Sequence, residues 1–159
     1  MRKIKGFMMN VKQLELSDVQ LYSESIKELI RICLQSTYTH GVTEELIDEK
    51  FEGMCQFIQD GKAYVYGAII SDCLVAFLWG YPMCNPFEEV FHIAYIAVSE
   101  QGRRQGIGEK MILAAEAEAK KIGINKVELI VGANNRSALS FYEHCGYSPD
   151  RFYLVKDVK

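Results

Sequence analysis

The chain has 159 residues, 49% of them apolar and 25% charged, with a net charge of −3. That length buries one core and is short for two, so a single domain over residues 1–159 is expected, and the composition excludes disorder as the main state. The acidic balance leaves no general case for nucleic-acid binding, although a local basic site for a small anion stays open.

The N-terminal "MRKIKGFMMN" has basic residues but neither a long apolar segment nor a small-residue cleavage site, which makes it a poor secretory signal. No window reaches the roughly 18 apolar residues that span a bilayer, so no membrane association is expected. Cysteines at 33, 55, 73, 84 and 145 are odd in number and never spaced as CxxC. That argues against a disulfide framework and a zinc ribbon, and for reduced thiols in a cytoplasmic protein. Asn135-Arg136-Ser137 matches a glycosylation sequon, expected to stay unmodified without a secretory route.

"NVKQLEL" alternates apolar and polar residues and predicts a first strand. "SDVQLYSESIKELIRICLQS" spaces Val19, Tyr22, Ile26, Leu29, Ile30 and Cys33 by three and four, an amphipathic helix with Ser17 or Asp18 as its cap. "TEELIDEKFEGMCQFIQDG" repeats that logic and stops at Gly61. "AYVYGAII" and "LVAFLWGY", joined by "SDC", predict an antiparallel hairpin, and the two prolines of "PMCNPF" predict a loop. "EVFHIAYIAV" is the next strand. Residues 106 to 122 form a helix closed by Gly123, "NKVELIV" a strand, "NRSALSFYEHCG" a short helix ending at Gly146, and "RFYLVK" a last strand. Strands before and after crossover helices imply an α/β (α+β) fold, a mixed sheet covered by helices.

The segment "SEQGRRQGIGEKM", residues 99 to 111, joins a strand to a helix through a glycine turn. Free backbone N–H groups and the positive end of a helix dipole meet there, a ready anion site. Gly106 and Gly108 carry no Cβ to block an approaching anion, and Arg103 and Arg104 add forked donors suited to phosphate oxygens, so a diphosphate is the natural guest. The nucleotide P-loop is absent, because Glu109 and Lys110 stand where Lys and Ser or Thr are needed. Met111 likewise breaks the Rossmann fingerprint. A solvent-exposed glycine turn is the plain alternative.

Three segments together resemble the GNAT superfamily of N-acetyltransferases. Its acetyl-CoA signature, [Q/R]xxGx[G/A], resembles "QGRRQGIG" with Gln101, Arg103, Gly106 and Gly108; its downstream NxxAxxxYxxxGF resembles "NRSALSFYEHCGY" with Asn135, Ala138, Tyr142, Gly146 and Tyr147 in place of Phe; its "IxxLxV" strand resembles "IAYIAV". The matches run in order over residues 93 to 147, about a third of the chain. The resemblance implies a mixed, mostly antiparallel central sheet flanked by helices, acetyl-CoA as co-substrate, and direct transfer of the acetyl group to a primary amine of a small molecule or protein N-terminus in a ternary complex. It is compatible with a homodimer. The pyrophosphate would rest on the turn made by Arg103, Arg104, Gln105, Gly106, Ile107 and Gly108, and the pantetheine arm would pair with the strand near Ile96 and Val98.

Tyr142 corresponds to the family's tyrosine that protonates the departing thiolate, a role open to a phenol protonated at neutral pH. Asn135 can both cap its helix and contact the cofactor arm. For the base, the strand position inspected first is Ala94, a departure from the glutamate many members carry. His92 and Glu89 remain the candidates, with Glu88, Tyr95 or a water chain as alternatives; imidazole chemistry suits proton removal near neutral pH. The acceptor is expected over "WGYPMCNPFEEV", residues 79 to 90, whose aromatic and acidic side chains can hold an amine. His40 and His144 lack metal-ligand spacing. Two other classes compete: an acyl-CoA-binding sensor or structural module without turnover, and a nucleotide-binding domain, which the missing P-loop lysine disfavours.

Overall fold

Five strands lie side by side in the order in which the chain makes them, in a computed structural model that describes residues 9–38 and 40–158. They are β1 (Asn10–Gln13), β2 (Tyr64–Ile70), β3 (Cys73–Cys84), β4 (Glu89–Val98) and β5 (Val127–Leu129). β1 through β4 pair antiparallel and β5 joins β4 in parallel, which gives the expected mixed, mostly antiparallel sheet. The helices are α1 (Leu16–Leu21), α2 (Ser23–Thr37), α3 (Glu44–Gln59), α4 (Ile107–Lys121) and α5 (Arg136–His144). The basic N-terminal segment expected to be a poor secretory signal lies mostly outside the described residues. No helix among those described is long and apolar enough to cross a membrane, and all five cysteines are free.

Hydrophobic burial works on both faces of the sheet. On one, Val65, Phe77, Trp79 and Ala97 pack under α1 to α3 through Val19, Ile26, Leu29, Ile30, Ile47 and Met54. On the other, Leu78, Phe91 and Ile93 pack under α4 through Ile107, Met111, Ile112 and Ala115. α4 also buries Glu118, absent from the expected apolar face; its carboxylate accepts a 2.6 Å hydrogen bond from the Tyr66 hydroxyl.

Local structure departs from expectation in four places. The first strand ends at Gln13, because Glu15 already flanks α1. Asp18 does close the start of α1, but from the third helical position, where its Oδ2 accepts from the Glu15 N–H at 3.1 Å; it also pairs with Lys12 at 2.7 Å. The single helix expected from Ser17 to Ser36 is broken at Tyr22, whose φ of −100° and ψ of 21° leave the helical region while the apolar spacing continues across the break. β3 runs on through Pro82 to Cys84 against Phe91, Val90 and Glu89, so the loop shrinks to residues 85–88. Beyond Gly80, β3 has lost its β2 partner and has become an edge, where a proline lacking an N–H costs no ladder bond.

The expected last strand is the fourth correction. Residues 151–158 form no strand, and Phe152, Tyr153 and Leu154 stand exposed. β propensity is expressed through cross-strand pairs and burial, and this segment has neither. Its expected neighbour is itself reduced, with β5 spanning only three of the seven residues of "NKVELIV".

Candidate active site

β4 is split along its length between paired and open. It bonds β5 only at Phe91, His92 and Ile93, and from Ala94 onward that edge has no strand beside it. Opposite, the ladder with β3 slips: Trp79 faces Tyr95 but Gly80 faces Ile93, leaving Ala94 as an extra residue. Such a bulge reverses the alternation of faces. Ile93 packs on the α4 side, yet Tyr95 and Ala97 pack on the α1–α3 side, and Ile96 and Val98 turn towards α4. The Ser99 N–H bonds Val75 across β3 at 2.8 Å, so by alternation the backbone groups of Val98 and Ile96 point to the open edge. The Ile96 carbonyl there accepts from the Cys33 thiol at 3.2 Å, and burial pushes that thiol up to about 12.

The chain then enters the glycine turn. Arg104 at φ +61° and Gly106 at φ +69° are left-handed and curl the backbone before α4 starts at Ile107. The first α4 bond is Lys110 N–H to the Gly106 carbonyl, and among the described residues no acceptor meets the N–H groups of residues 104 to 109. Converging N–H groups in a left-handed turn form a concavity for anions. Arg103 and Arg104 are exposed and form no ion pair with any described residue. Ile107 is buried, so it can offer only its main chain. The two glycines differ. A Cβ on Gly106 meets nothing within 4 Å, whereas one on Gly108 comes within 3.0 Å of Phe141 Cζ. Gly108 therefore lets α5 approach α4, instead of clearing space for an anion.

A cleft of about 460 Å³ follows the open edge. Its walls bring together His92, Ile96, Asn135 and Tyr142 among the candidates from the sequence, and they include Ala94 at the bulge. Tyr142 projects from α5, and burial pushes its phenol up to about 12, which keeps the hydroxyl protonated across the neutral range. Asn135 caps α5, its Oδ1 accepting from the Ala138 N–H at 3.1 Å, with the amide NH₂ left over. His92 Nδ1 lies 3.2 Å from Glu128 Oε1 on β5, a partner that sequence reading did not find. Parallel register sets these two residues side by side, and no local spacing signals it. Glu89 lies elsewhere: it is exposed and lines a separate hollow with Glu88, Gly123 and Lys126. His40 and His144 are exposed and outside the cleft.

The α2–α3 side of the cleft is aromatic. Trp79 stacks on Tyr95 with ring centroids 5.4 Å apart, Phe57 meets Tyr81 at 5.3 Å, and Tyr81 meets the His92 ring at 5.4 Å. Of the segment expected to hold the acceptor, only Trp79 and Tyr81 line the cleft; its acidic residues do not.

The chain is 26% identical over 139 residues to an uncharacterised N-acetyltransferase of Bacillus subtilis, YvbK, covering 87% of this chain and 77% of that one. Its fold is similar to that of aminoglycoside N-acetyltransferase AAC(6′)-Iy in complex with CoA, at TM-score 0.75 and 14% identity over 96% of this chain and 97% of the other. It is also similar to an acetyltransferase from Clostridium acetobutylicum solved with acetyl-CoA, at TM-score 0.74 and 17% identity, covering 94% and 96% of the two chains. Residues 23–147 match the model of the acetyltransferase (GNAT) family, and with the open β4 edge and the glycine turn ahead of α4 in place, the chain belongs to that family.

Proposed function

We propose that this chain, as one domain over residues 1–159, transfers the acetyl group of acetyl-CoA directly to a primary amine in a ternary complex. The observation that carries this reading is the continuity of two main-chain surfaces without backbone partners among the described residues. The open edge at Ile96 and Val98, where the Ile96 carbonyl has only the Cys33 thiol, leads through Ser99 into a turn whose N–H groups from Arg104 onward have no acceptor there. An amide-bearing arm suits the first and a diphosphate suits the second. Arg103, Arg104, Gln105, Gly106, Ile107 and Gly108 cradle the diphosphate, chiefly through main-chain N–H groups. Asn135 donates its spare amide to the arm.

Chemistry then falls to side chains lining the cleft. His92, held through Nδ1 by Glu128, presents Nε2 as the base that takes the proton of the attacking ammonium. The amine nitrogen bonds to the thioester carbonyl carbon, the C–S bond breaks, and Tyr142 protonates the departing thiolate and is restored by the second proton that the acylated nitrogen gives up. Main-chain N–H groups at the β4 bulge can hold the carbonyl oxygen as it gains charge. Glu89 has no part in this reading, because it lies outside the cleft. Location in the cytoplasm and absence of a nucleic-acid partner accompany the proposal as expectations from composition.

Thiol release measured across a panel of primary amines, beside calorimetric titration with acetyl-CoA, tests the reading. Binding with amine-dependent thiol release is expected. Binding without release towards any amine would leave an acyl-CoA sensor, and absence of binding would remove the donor site altogether.

A further inference from the structure

The chemistry of the cleft walls narrows the acceptor. Among the described residues no aspartate or glutamate lines the cleft, and Lys50 of α3 is the lysine or arginine that does. Two acids that meet lining residues are already engaged, Glu128 with His92 at 3.2 Å and Glu49 with Lys50 at 3.0 Å. The rings of Phe57, Trp79, Tyr81 and Tyr95 also line the cleft. Its acceptors are neutral, from Ser36, Thr37, His92, Asn135 and tyrosines, so it can hold one ammonium but offers no carboxylate to balance the several charges of a polycation. The same walls favour a flat or bulky apolar body, which aromatic faces cover at about 0.5–1.5 kcal/mol per well-placed ring pair beyond simple burial.

We propose that the acceptor is an aromatic amino-acid-like monoamine: one primary amine directed at His92, an aromatic body lying against Phe57, Trp79, Tyr81 and Tyr95, and a carboxylate directed at Lys50. This rests on the acetyl-transfer reading above and gives its substrate class. The Lys50–Glu49 contact is between neighbours on the solvated side of α3, with side chains 37% and 70% exposed, and an exposed pair of this kind is held weakly. Lys50 can therefore exchange Glu49 for a substrate carboxylate at little cost. The product would be an N-acetyl amino acid, with the amine nitrogen acylated and free CoA thiol released.

The test compares kcat/KM for L-phenylalanine, phenethylamine, spermidine and kanamycin, with acetyl-CoA affinity measured on the same preparation. L-Phenylalanine is expected to exceed phenethylamine by ~10-fold, a charge-assisted pair's contribution, and both to exceed the two polycations. In Lys50→Ala the KM for L-phenylalanine is expected to rise ~10-fold while that for phenethylamine stays within about twofold. Phe57→Ala should raise KM for both aromatic amines and lower their lead over spermidine. Both substituted side chains are partly exposed, and an unchanged melting temperature confirms folding. Spermidine or kanamycin used as well as L-phenylalanine, or acetyl-CoA binding with turnover of none of the four, overturns the acceptor class alone. Failure to bind acetyl-CoA overturns the underlying reading instead.

Discussion

The aromatic wall lines the cleft beside β4, the turn ahead of α4 follows the same strand in the chain, and the two are built from different material. The turn is main chain: consecutive residues from Arg103 to Gly108, two of them left-handed, whose N–H groups from Arg104 onward have no acceptor among the described residues because a helix start has no earlier carbonyl to offer. The wall is side chain, collected from α3 at Phe57, β3 at Trp79 and Tyr81, and β4 at His92 and Tyr95. A main-chain site tolerates change in side chains so long as φ and ψ survive. The side-chain site has no such tolerance, because every ring is a separate choice. The division suits a transferase whose donor is common and whose acceptor is particular.

Substitutions separate the two regions, and Tyr142, the proposed proton donor, is expected to show the largest effect. Tyr142→Phe should lower kcat by ~10²–10³ with acetyl-CoA affinity within about twofold, measured by thiol release and calorimetry. A kcat that does not change removes the phenol from the reaction. Gly106→Val should raise the dissociation constant for acetyl-CoA by roughly 10–100-fold, because a β-branched residue at φ +69° refolds the turn; the KM for the amine should hold. Equal damage to both constants would mean that the two regions are not separable.

Glu128→Gln should lower kcat by ~10-fold through a less firmly held imidazole, leaving donor affinity intact. Glu128→Asp should recover part of that loss if orientation of His92 is the cause. The smallest effect belongs to Gly108→Ala. Phe141 must shift to admit the new methyl, so stability should fall by about 1 kcal/mol with no change in acetyl-CoA affinity. A weakened donor complex at unchanged melting temperature would return Gly108 to the anion site.

Much of this architecture is carried by local signals. Apolar spacing in α2, α3 and α4, the hairpin of β2 and β3, and Gly61, Gly123 and Gly146 at positive φ after α3, α4 and α5 are properties of short windows. The glycine turn is local too, which is why Arg103 to Gly108 could be singled out before any coordinates. Even there the sequence treats Gly106 and Gly108 alike, and only the position of Phe141, more than thirty residues on, tells them apart.

The errors have the same origin in reverse. β3 runs past Pro82 because its ladder with β2 stops at the Tyr64–Gly80 pair, and "RFYLVK" fails as a strand because no described strand pairs with it. Glu89 and His92 are three residues apart and the sequence places His92 only slightly ahead, yet His92 lines the cleft with Tyr142 and Glu89 an outer hollow.

What the sequence determined by itself is the helical stretches, though not the break at Tyr22, the central strands and the glycine turn, since hydrophobic periodicity and backbone dihedrals act over a few residues. What only the tertiary structure decided is which side chains meet: Glu128 behind His92, the bulge at Ala94 that turns Tyr95 towards Trp79, and the aromatic wall without carboxylates. Those contacts depend on strand register and on which elements become neighbours, both set by packing of the whole core.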